Sequence, residues 1–131
     1  MDNPLPKLGD AAERLNKSFD AISDRIVGIE NQLANEFKLG TSATVSLPTE
    51  DLGLTYQRYN RDWRIVVILD TNPDGSIKEW KPWSDCNREV KLATVPLIPL
   101  LLEKLAATAL EQAKQAEAAL AAIPDVDDVP F

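Results

Sequence analysis

The residues best suited to chemistry lie between positions 56 and 83, where aromatic and basic side chains are interleaved. Single-stranded nucleic acid is bound by this pairing, because bases stack on rings for about 1–3 kcal/mol each while cations follow the phosphates. Tyr59 and Trp63 flank a short loop, and Trp80 and Trp83 bracket Lys81-Pro82. The pattern predicts a nucleic-acid-binding surface made of the following residues: Tyr56, Arg58, Tyr59, Arg61, Trp63, Arg64, Lys78, Trp80, Lys81 and Trp83.

The same rings also suit a protein core, because aromatic residues favour strands and Trp buries a large apolar area. Some of the five rings must pack against helices, and Trp63, which opens the most apolar segment, is the one for which we expect a core position. Four acidic neighbours dilute the positive potential of the region: Asp62, Asp70, Asp74 and Glu79. Stacking surface and core therefore remain competing interpretations of this cluster.

Catalytic chemistry is not indicated. The chain has no His, which removes the usual general base and metal ligand. Its one Cys, Cys86, has no His partner and is interpreted as a buried thiol rather than a nucleophile. Gly-rich phosphate loops are absent from the sequence as well. We expect no enzymatic activity, no cofactor and no metal site.

Length and composition predict one soluble domain with appendages. The chain has 131 residues, of which 44% are hydrophobic and 27% charged. A single Cys suits a reducing compartment, and neither a membrane-spanning run nor a signal-peptide pattern is present. We expect an intracellular protein without a membrane partner. The net charge of −7 argues against nucleic acid, but the tail contributes much of it.

A long N-terminal helix is predicted over residues 10–39, after a flexible arm at 1–9. Asp10 and Glu13 form a capping box at its start, and Gly40 suits its C-terminal cap. Its apolar residues alternate at spacings of four and three, the period of a coiled coil. The stripe packs either on the domain's own sheet and C-terminal helix alone, or also against a second chain. We favour a homodimer or higher homo-oligomer with this interface: Leu15, Phe19, Ile22, Ile26, Ile29 and Leu33.

The middle of the chain, residues 42–82, predicts an antiparallel meander of three to four strands. Alternation begins after Thr41, and strands follow at 52–59 and 63–69, joined by a tight loop at 60–62. The apolar strand at 63–69 should lie centrally. Asn72-Pro73-Asp74-Gly75 is a strong turn signal before a fourth extended segment at 76–81.

A second helical region is predicted over residues 84–122. Ser84 or Asp85 is a candidate cap, and Pro96 should break the helix. Residues 88–95 also alternate as a strand would, but we interpret them as helix. The fold class is therefore α+β, with a kinked C-terminal helix and a disordered acidic tail at 123–131. A long leading helix and so few strands do not fit an OB-fold barrel.

The chain ends on Asp127-Asp128-Val129-Pro130-Phe131, preceded by Asp125. This end resembles the acidic C-terminal tip of bacterial and phage single-stranded DNA-binding proteins, in which an acidic run leads into Ile/Leu-Pro-Phe at the last residue. Val129 replaces the usual Ile or Leu, and Val126 interrupts the acidic run. The resemblance implies that the tip, residues 125 and 127–131, docks enzymes of DNA replication, repair and recombination. It also implies a nucleoid-associated protein of a bacterial or phage-host cytoplasm.

Two functions follow from these observations. The first is a single-stranded DNA-binding protein that stacks bases on the aromatics of its sheet and recruits partners through its tip. The second is a protein-interaction module that mimics the tip to recruit or inhibit DNA-maintenance enzymes without binding DNA.

Overall fold

The computed structural model describes residues 3–48 and 51–125, and has the predicted α+β fold. Its elements are helix α1 (Leu5–Asn31), strands β1 (Ala43–Ser46), β2 (Gly53–Tyr59), β3 (Asp62–Thr71) and β4 (Ile77–Pro82), and helices α2 (Arg88–Thr94) and α3 (Leu97–Ala122). The four strands form one antiparallel sheet in the order β1-β2-β3-β4. This confirms the predicted meander, with the apolar strand β3 in an interior position.

Helix α1 begins at Leu5, five residues before the predicted start. Pro4 occupies the N-cap and Pro6 the first turn, where a missing amide hydrogen has no helical acceptor and the fixed φ of proline favours the helix. The Asn3 side chain accepts a hydrogen bond from the Leu5 amide at 3.1 Å. The predictions of an irregular arm up to residue 9 and of a cap at Asp10 are therefore wrong, since Asp10 lies inside the helix.

The end of α1 also differs from the prediction. A π-helical turn, Gln32–Glu36, follows the helix, and Lys38 rather than Gly40 adopts the left-handed conformation, with φ of 51°. The Leu39 amide then donates to the Leu33 carbonyl at 2.8 Å, one residue further back than in a Schellman motif, as the preceding π-helical turn requires. Leu39 packs on the hydrophobic cluster, so the early turn directs this side chain into the core.

One face of the sheet carries the core. Leu54 pairs with Val67 and Tyr56 with Ile65 across β2 and β3, which places all four on the same face, and all four are fully buried. Residues of α1 and α3, including Ile26, complete the hydrophobic cluster over this face. The opposite face carries Tyr59, Val66, Ile68 and Trp80 in register.

The predicted oligomer stripe is mostly core of the protomer itself. Phe19, Ile26 and Leu33 are buried, and Ile22 and Ile29 pack on the hydrophobic cluster. The prediction of a contact with a second chain is wrong for Phe19, Ile26 and Leu33, which are buried within the protomer. Ile22 and Ile29 are half-buried, and homo-oligomerisation itself stays a prediction. Only the sixth member of the predicted interface, Leu15, remains exposed.

The chain after the sheet is anchored by Trp83 in a short 3-10 turn. Asn87, not Ser84 or Asp85, caps α2 by accepting from the Val90 amide at 2.9 Å. Residues 88–94 are helical as predicted, and the break near Pro96 is present as a 52° bend between α2 and α3. No single helix of the described residues is long and apolar enough to cross a membrane, although this bent pair qualifies when taken together.

The buried Trp83–Thr94 hydrogen bond provides a test of this anchor. The indole Nε1 donates to Thr94 Oγ1 at 3.1 Å, and both side chains are buried. Thr94→Val should lower the free energy of unfolding by about 1–3 kcal/mol, because the indole N–H would lose its partner without gaining water. Urea denaturation followed by Trp fluorescence measures the loss. Thr94→Ser keeps the acceptor and should lose less; equal losses would contradict this role of the hydroxyl.

Candidate nucleic-acid interface

The ten predicted nucleic-acid residues do not form one surface. Tyr56, Arg58, Trp63 and Lys81 occupy the core-bearing face of the sheet by register, whereas Tyr59, Arg64 and Trp80 occupy the other. Trp83 lies after the last strand. The alternation of a strand sends neighbouring residues to opposite faces, so interleaving along the chain does not imply a shared surface.

Two of the predicted stacking residues are core residues. Tyr56 is 0% exposed and Trp83 is 1% exposed, so neither ring can receive a base. The Tyr56 hydroxyl donates to the Leu39 carbonyl at 3.0 Å, and burial together with the Glu30 carboxylate raises the pKa of this phenol. Their inclusion in the predicted interface is wrong. The expected core position of Trp63 is wrong in part as well, because Trp63 is half-buried and Trp83 is the buried indole.

The β2–β3 hairpin has an unusual turn. Asn60 and Arg61 both have positive φ, 49° and 78°, in the two-residue loop between Tyr59 and Asp62. Such loops favour Asn followed by Gly, because a side chain in the left-handed region is strained by roughly 1–2 kcal/mol per residue. Arg61 occupies the position that favours Gly. A strained residue that carries a charge to an exposed tip is a marker of functional constraint.

A cavity of about 340 Å³, called the slot below, lies between this hairpin and the end of α1. Trp63 and the guanidinium groups of Arg61 and Arg64 line it from the hairpin. Asn31 and Asn35 line it from the helix side. The volume is at the lower end of the range for ligand pockets. A ring beside amide groups and cations suits a flat, polar and anionic ligand such as a nucleotide.

The slot also contains carboxylates, since Glu30 and Asp62 are among its lining residues. Glu30 accepts a hydrogen bond from the Ile65 amide at 2.8 Å and lies 3.6 Å from Arg64 Nε. Arg64 Nη2 also donates to Ser84 Oγ at 3.0 Å. Arg64 is therefore held by protein partners on two sides and is less available to a phosphate than Arg61.

A second aromatic site lies on the other face of the sheet. Tyr59 and Trp80 meet edge to face, with ring centroids 5.3 Å apart and planes inclined by 70°. Tyr59 pairs with Asp62 of β3, and Trp80 pairs with Ile68. Arg64 and Val66 lie between these two partners on the same face, and Val66 is completely buried. Both rings are half-buried, so they retain exposed surface. Lys78 lies near this face but pairs with Asp70 at 3.7 Å.

Among the described residues, neither Cys86 nor the carboxylates indicate a catalytic or metal site. Burial raises the pKa of the Cys86 thiol, against the opposing effect of Lys81 and Lys91, and a raised value is the reverse of what a nucleophilic Cys requires. The thiol lies 3.5 Å from the Pro82 carbonyl. Within residues 3–48 and 51–125, no three carboxylate or thiol side chains gather as metal ligands would.

The sequence interpretation missed the contribution of α1 to the slot. Glu30 and Asn31 come from α1 and Asn35 from the π-helical turn that follows it, a region for which the sequence predicted only an apolar surface. The sequence held one indication of this role: Glu30 directly follows Ile29 and stands three residues before Leu33, so it lies beside the apolar stripe. A carboxylate so close to a buried stripe requires a hydrogen-bond partner.

Replacing Glu30 tests whether it holds the hairpin. Pro82 pairs with Val66 at the last step of β4, so beyond it the Ile65 amide finds the Glu30 carboxylate instead of a strand. Glu30→Ala should lower the free energy of unfolding by about 1–3 kcal/mol and speed hydrogen exchange at the Ile65 amide, measured by NMR. Glu30→Gln keeps an acceptor oxygen and should protect this amide; equally fast exchange in both variants would refute the assignment.

Comparison of the chain with protein-family models, with curated proteins and with solved structures finds no match in any of the three. Function is therefore inferred from the hairpin end of the sheet and from the sequence of the tail.

Proposed function

We propose that this protein binds single-stranded DNA at the end of the β2–β3 hairpin and recruits DNA-maintenance enzymes through its C-terminal tip. The observation that carries the proposal is the hairpin end itself. Within six residues it places Arg58, Tyr59, Arg61 and Trp63, and Arg61 keeps a backbone conformation that disfavours a side chain. A charged group retained against strain in the middle of an aromatic cluster indicates a ligand that is both anionic and flat.

The two aromatic sites supply two places for bases. Trp63 offers its ring to the slot beside α1, while the Tyr59–Trp80 pair offers an edge-to-face platform on the other face of the sheet. Both sites adjoin the same two-residue turn, because Tyr59 precedes it and Trp63 lies one residue beyond Asp62. A single strand that passes over the tip reaches both sites, with the Arg58 and Arg61 cations along its backbone.

Charge sets the expected strength of this binding. The few cations at the hairpin end face a chain of net charge −7, so electrostatic attraction is local and small. Each phosphate neutralised by Lys or Arg steepens the salt dependence by a fixed increment. We therefore expect weak binding per protomer that depends on stacking at least as much as on charge.

The sequence of the tail is the reason that the proposal includes enzymes of DNA maintenance as partners. Asp127, Asp128, Val129, Pro130 and Phe131 lie outside the described residues, and their role rests on the resemblance to the tips of single-stranded DNA-binding proteins. A tip of this kind is useful on a protein that already occupies single strands.

Arg61→Gly separates binding from folding. Glycine suits the left-handed position, so the variant should unfold at the same or a higher urea concentration, with a gain of up to about 1 kcal/mol. Its affinity for fluorescein-labelled oligo-dT, measured by fluorescence polarisation at low salt, should fall, and the slope of log affinity against log salt should decrease by about 1. Lys17→Gly, in the exposed part of α1, is the control. Unchanged affinity and slope in Arg61→Gly would exclude the hairpin tip.

In the same assay, Trp80→Ala and Trp63→Ala should each weaken binding by about 1–3 kcal/mol, or roughly five- to hundred-fold. Trp80→Phe keeps a ring and should recover most of the affinity. If both alanine variants fold and bind as the wild type does, the stacking sites are refuted.

The alternative function, a module that presents the tip without binding DNA, is favoured by one observation. Carboxylates of Glu30 and Asp62 line the slot, and Asp70 neutralises Lys78, so part of the positive charge at the interface is already compensated. In this case oligo-dT binding would be absent in the wild type, while partners would still dock on the tip.

Deletion of Phe131 tests the tip in both cases. The variant should lose replication or repair enzymes in a pull-down from a bacterial lysate, because the terminal ring is removed and the terminal carboxylate moves to Pro130. Oligo-dT affinity should stay the same, since Asp125, Asp127 and Asp128 remain in the variant. Phe37→Ala removes an exposed ring elsewhere and should retain the partners. Retention of the same partners after Phe131 deletion would refute a docking role.

A further inference from the structure

Two helical segments of the protein extend beyond its core. Every described residue before Phe19 is exposed, and every described residue after Ala109 is exposed. The N-terminal arm is therefore residues 5–18 of α1, and the C-terminal arm is residues 110–122 of α3. At 1.5 Å per residue each arm is about 20 Å long. The two arms are similar in length, and all of their residues are exposed.

The arms carry the most exposed large apolar side chains in the described part of the chain. These are Leu120 (70%), Leu5 (65%), Ile123 (65%) and Leu8 (63%). Ile123 directly follows the C-terminal arm. Concentration of exposed apolar residues at two places marks sites of association.

Each arm displays an apolar stripe at coiled-coil spacing. On the N-terminal arm the stripe is Leu5, Leu8, Ala12 and Leu15, and it continues in phase into the buried residues Phe19 and Ile26. On the C-terminal side the stripe is Ala113, Ala116, Leu120 and Ile123. The spacing is three, four and three in both.

The two stripes complement each other in size. In parallel register, Leu5 faces Ala113, Leu8 faces Ala116 and Ala12 faces Leu120, each time a large residue opposite a small one, while Leu15 faces Ile123 and both are large. A large residue opposite a small one fills a helix interface without voids, whereas either stripe in parallel with itself pairs large with large and small with small. The residues that flank the N-terminal stripe are small or uncharged and permit close approach: Gly9, Ala11, Asn16 and Ser18.

The body determines where each arm departs. Phe19, the first buried residue of α1, contacts Arg88 at the start of α2 through a cation–π interaction of 5.0 Å. The C-terminal arm departs past Gln112, which accepts a hydrogen bond from Thr41 at 2.6 Å, beyond the end of α1. Phe19 and Glu36 are separated by about 26 Å along the helix. The arms therefore leave the body near opposite ends of the packed segment that runs from Phe19 to Glu36.

We propose that the N-terminal arm of one copy pairs in parallel with the C-terminal arm of a second copy, so that the protein assembles head to tail. The chain direction fits this pairing. A C-terminal arm runs away from its own body towards the next copy, and an N-terminal arm runs towards its own body, so the two point the same way. The paired segments, 5–15 and 113–123, then occupy the gap between two bodies.

This contact joins two different surfaces, and the resulting pair keeps one free arm of each kind. Heterologous contacts that do not close into a ring generate open chains. Assembly by this route does not depend on DNA binding. Where the proposed DNA function also holds, a chain of copies aligns successive hairpin ends and provides cooperativity along a single strand.

Two complementary variants of the full-length protein test the pairing by sedimentation velocity. Wild type should form species larger than a dimer as its concentration rises. Leu8→Glu removes only the N-terminal surface and Ala116→Glu only the C-terminal surface, so each variant alone should be monomeric. An equimolar mixture should contain a dimer, because each variant retains the surface that the other lacks.

Leu92→Glu and Ala118→Glu are the matched controls, since Leu92 is an exposed leucine of α2 and Ala118 lies on the outer side of the C-terminal stripe. Both controls should assemble as the wild type does. Circular dichroism and urea denaturation verify that all variants fold. A monomeric wild type at every concentration overturns the proposal. A dimer that Ala116→Glu leaves intact also overturns it, since it would indicate pairing between two N-terminal arms.

Discussion

The small buried face of the sheet is the constraint on which the rest of the structure depends. Leu54, Tyr56, Ile65 and Val67 form its centre, and residues of α1 and α3 must cover it. Yet α1 has 27 residues and α3 has 26, about 40 Å each, and neither the residues of α1 before Phe19 nor those of α3 after Ala109 are buried. The apolar area of the sheet therefore accounts for only part of each helix. What remains of both helices is surface, and its apolar character requires another explanation than the core.

The hairpin end of the sheet follows from the same packing. Helix α1 crosses the sheet where β4 has ended, and its Glu30 carboxylate accepts the Ile65 amide that a longer strand would have paired. Because Glu30 also holds Arg64, the helix fixes one wall of the slot while the turn at Asn60 and Arg61 fixes the other. The candidate DNA site is thus built by elements far apart in the chain. If the proposal holds, its geometry depends on a helix–strand contact that carries no DNA itself.

The sequence predicted most of the fold because its signals were local. Alternation gave the strands, Asn72-Pro73-Asp74-Gly75 gave a turn, and Pro96 gave the break between α2 and α3. Helix ends were less predictable, since Pro4 and Lys38 compete with the more typical Asp10 and Gly40 and tertiary packing decides between them.

The candidate site was harder to predict for a related reason. Aromatic residues serve both cores and binding surfaces, and only the register distinguishes buried Tyr56 from its half-buried neighbour Tyr59. The heptad stripe of α1 contained no mark of where its core half ends, because the period is the same on both sides of Phe19. Local patterns specify which face of a helix is apolar, but the size of the opposing surface specifies how much of it is covered.

The continuity of that stripe ties the exposed arm to the integrity of the fold. The N-terminal arm alone would be only marginally helical in water, because helix nucleation is unfavourable and few turns follow it. The docked half of α1 supplies the nucleus, and it also sets the rotation at which Leu5, Leu8 and Leu15 emerge. A chain whose core has loosened would lose both the helicity and the orientation of its arm. A partner that recognises the arm would therefore bind the folded protein and not a chain whose core has loosened.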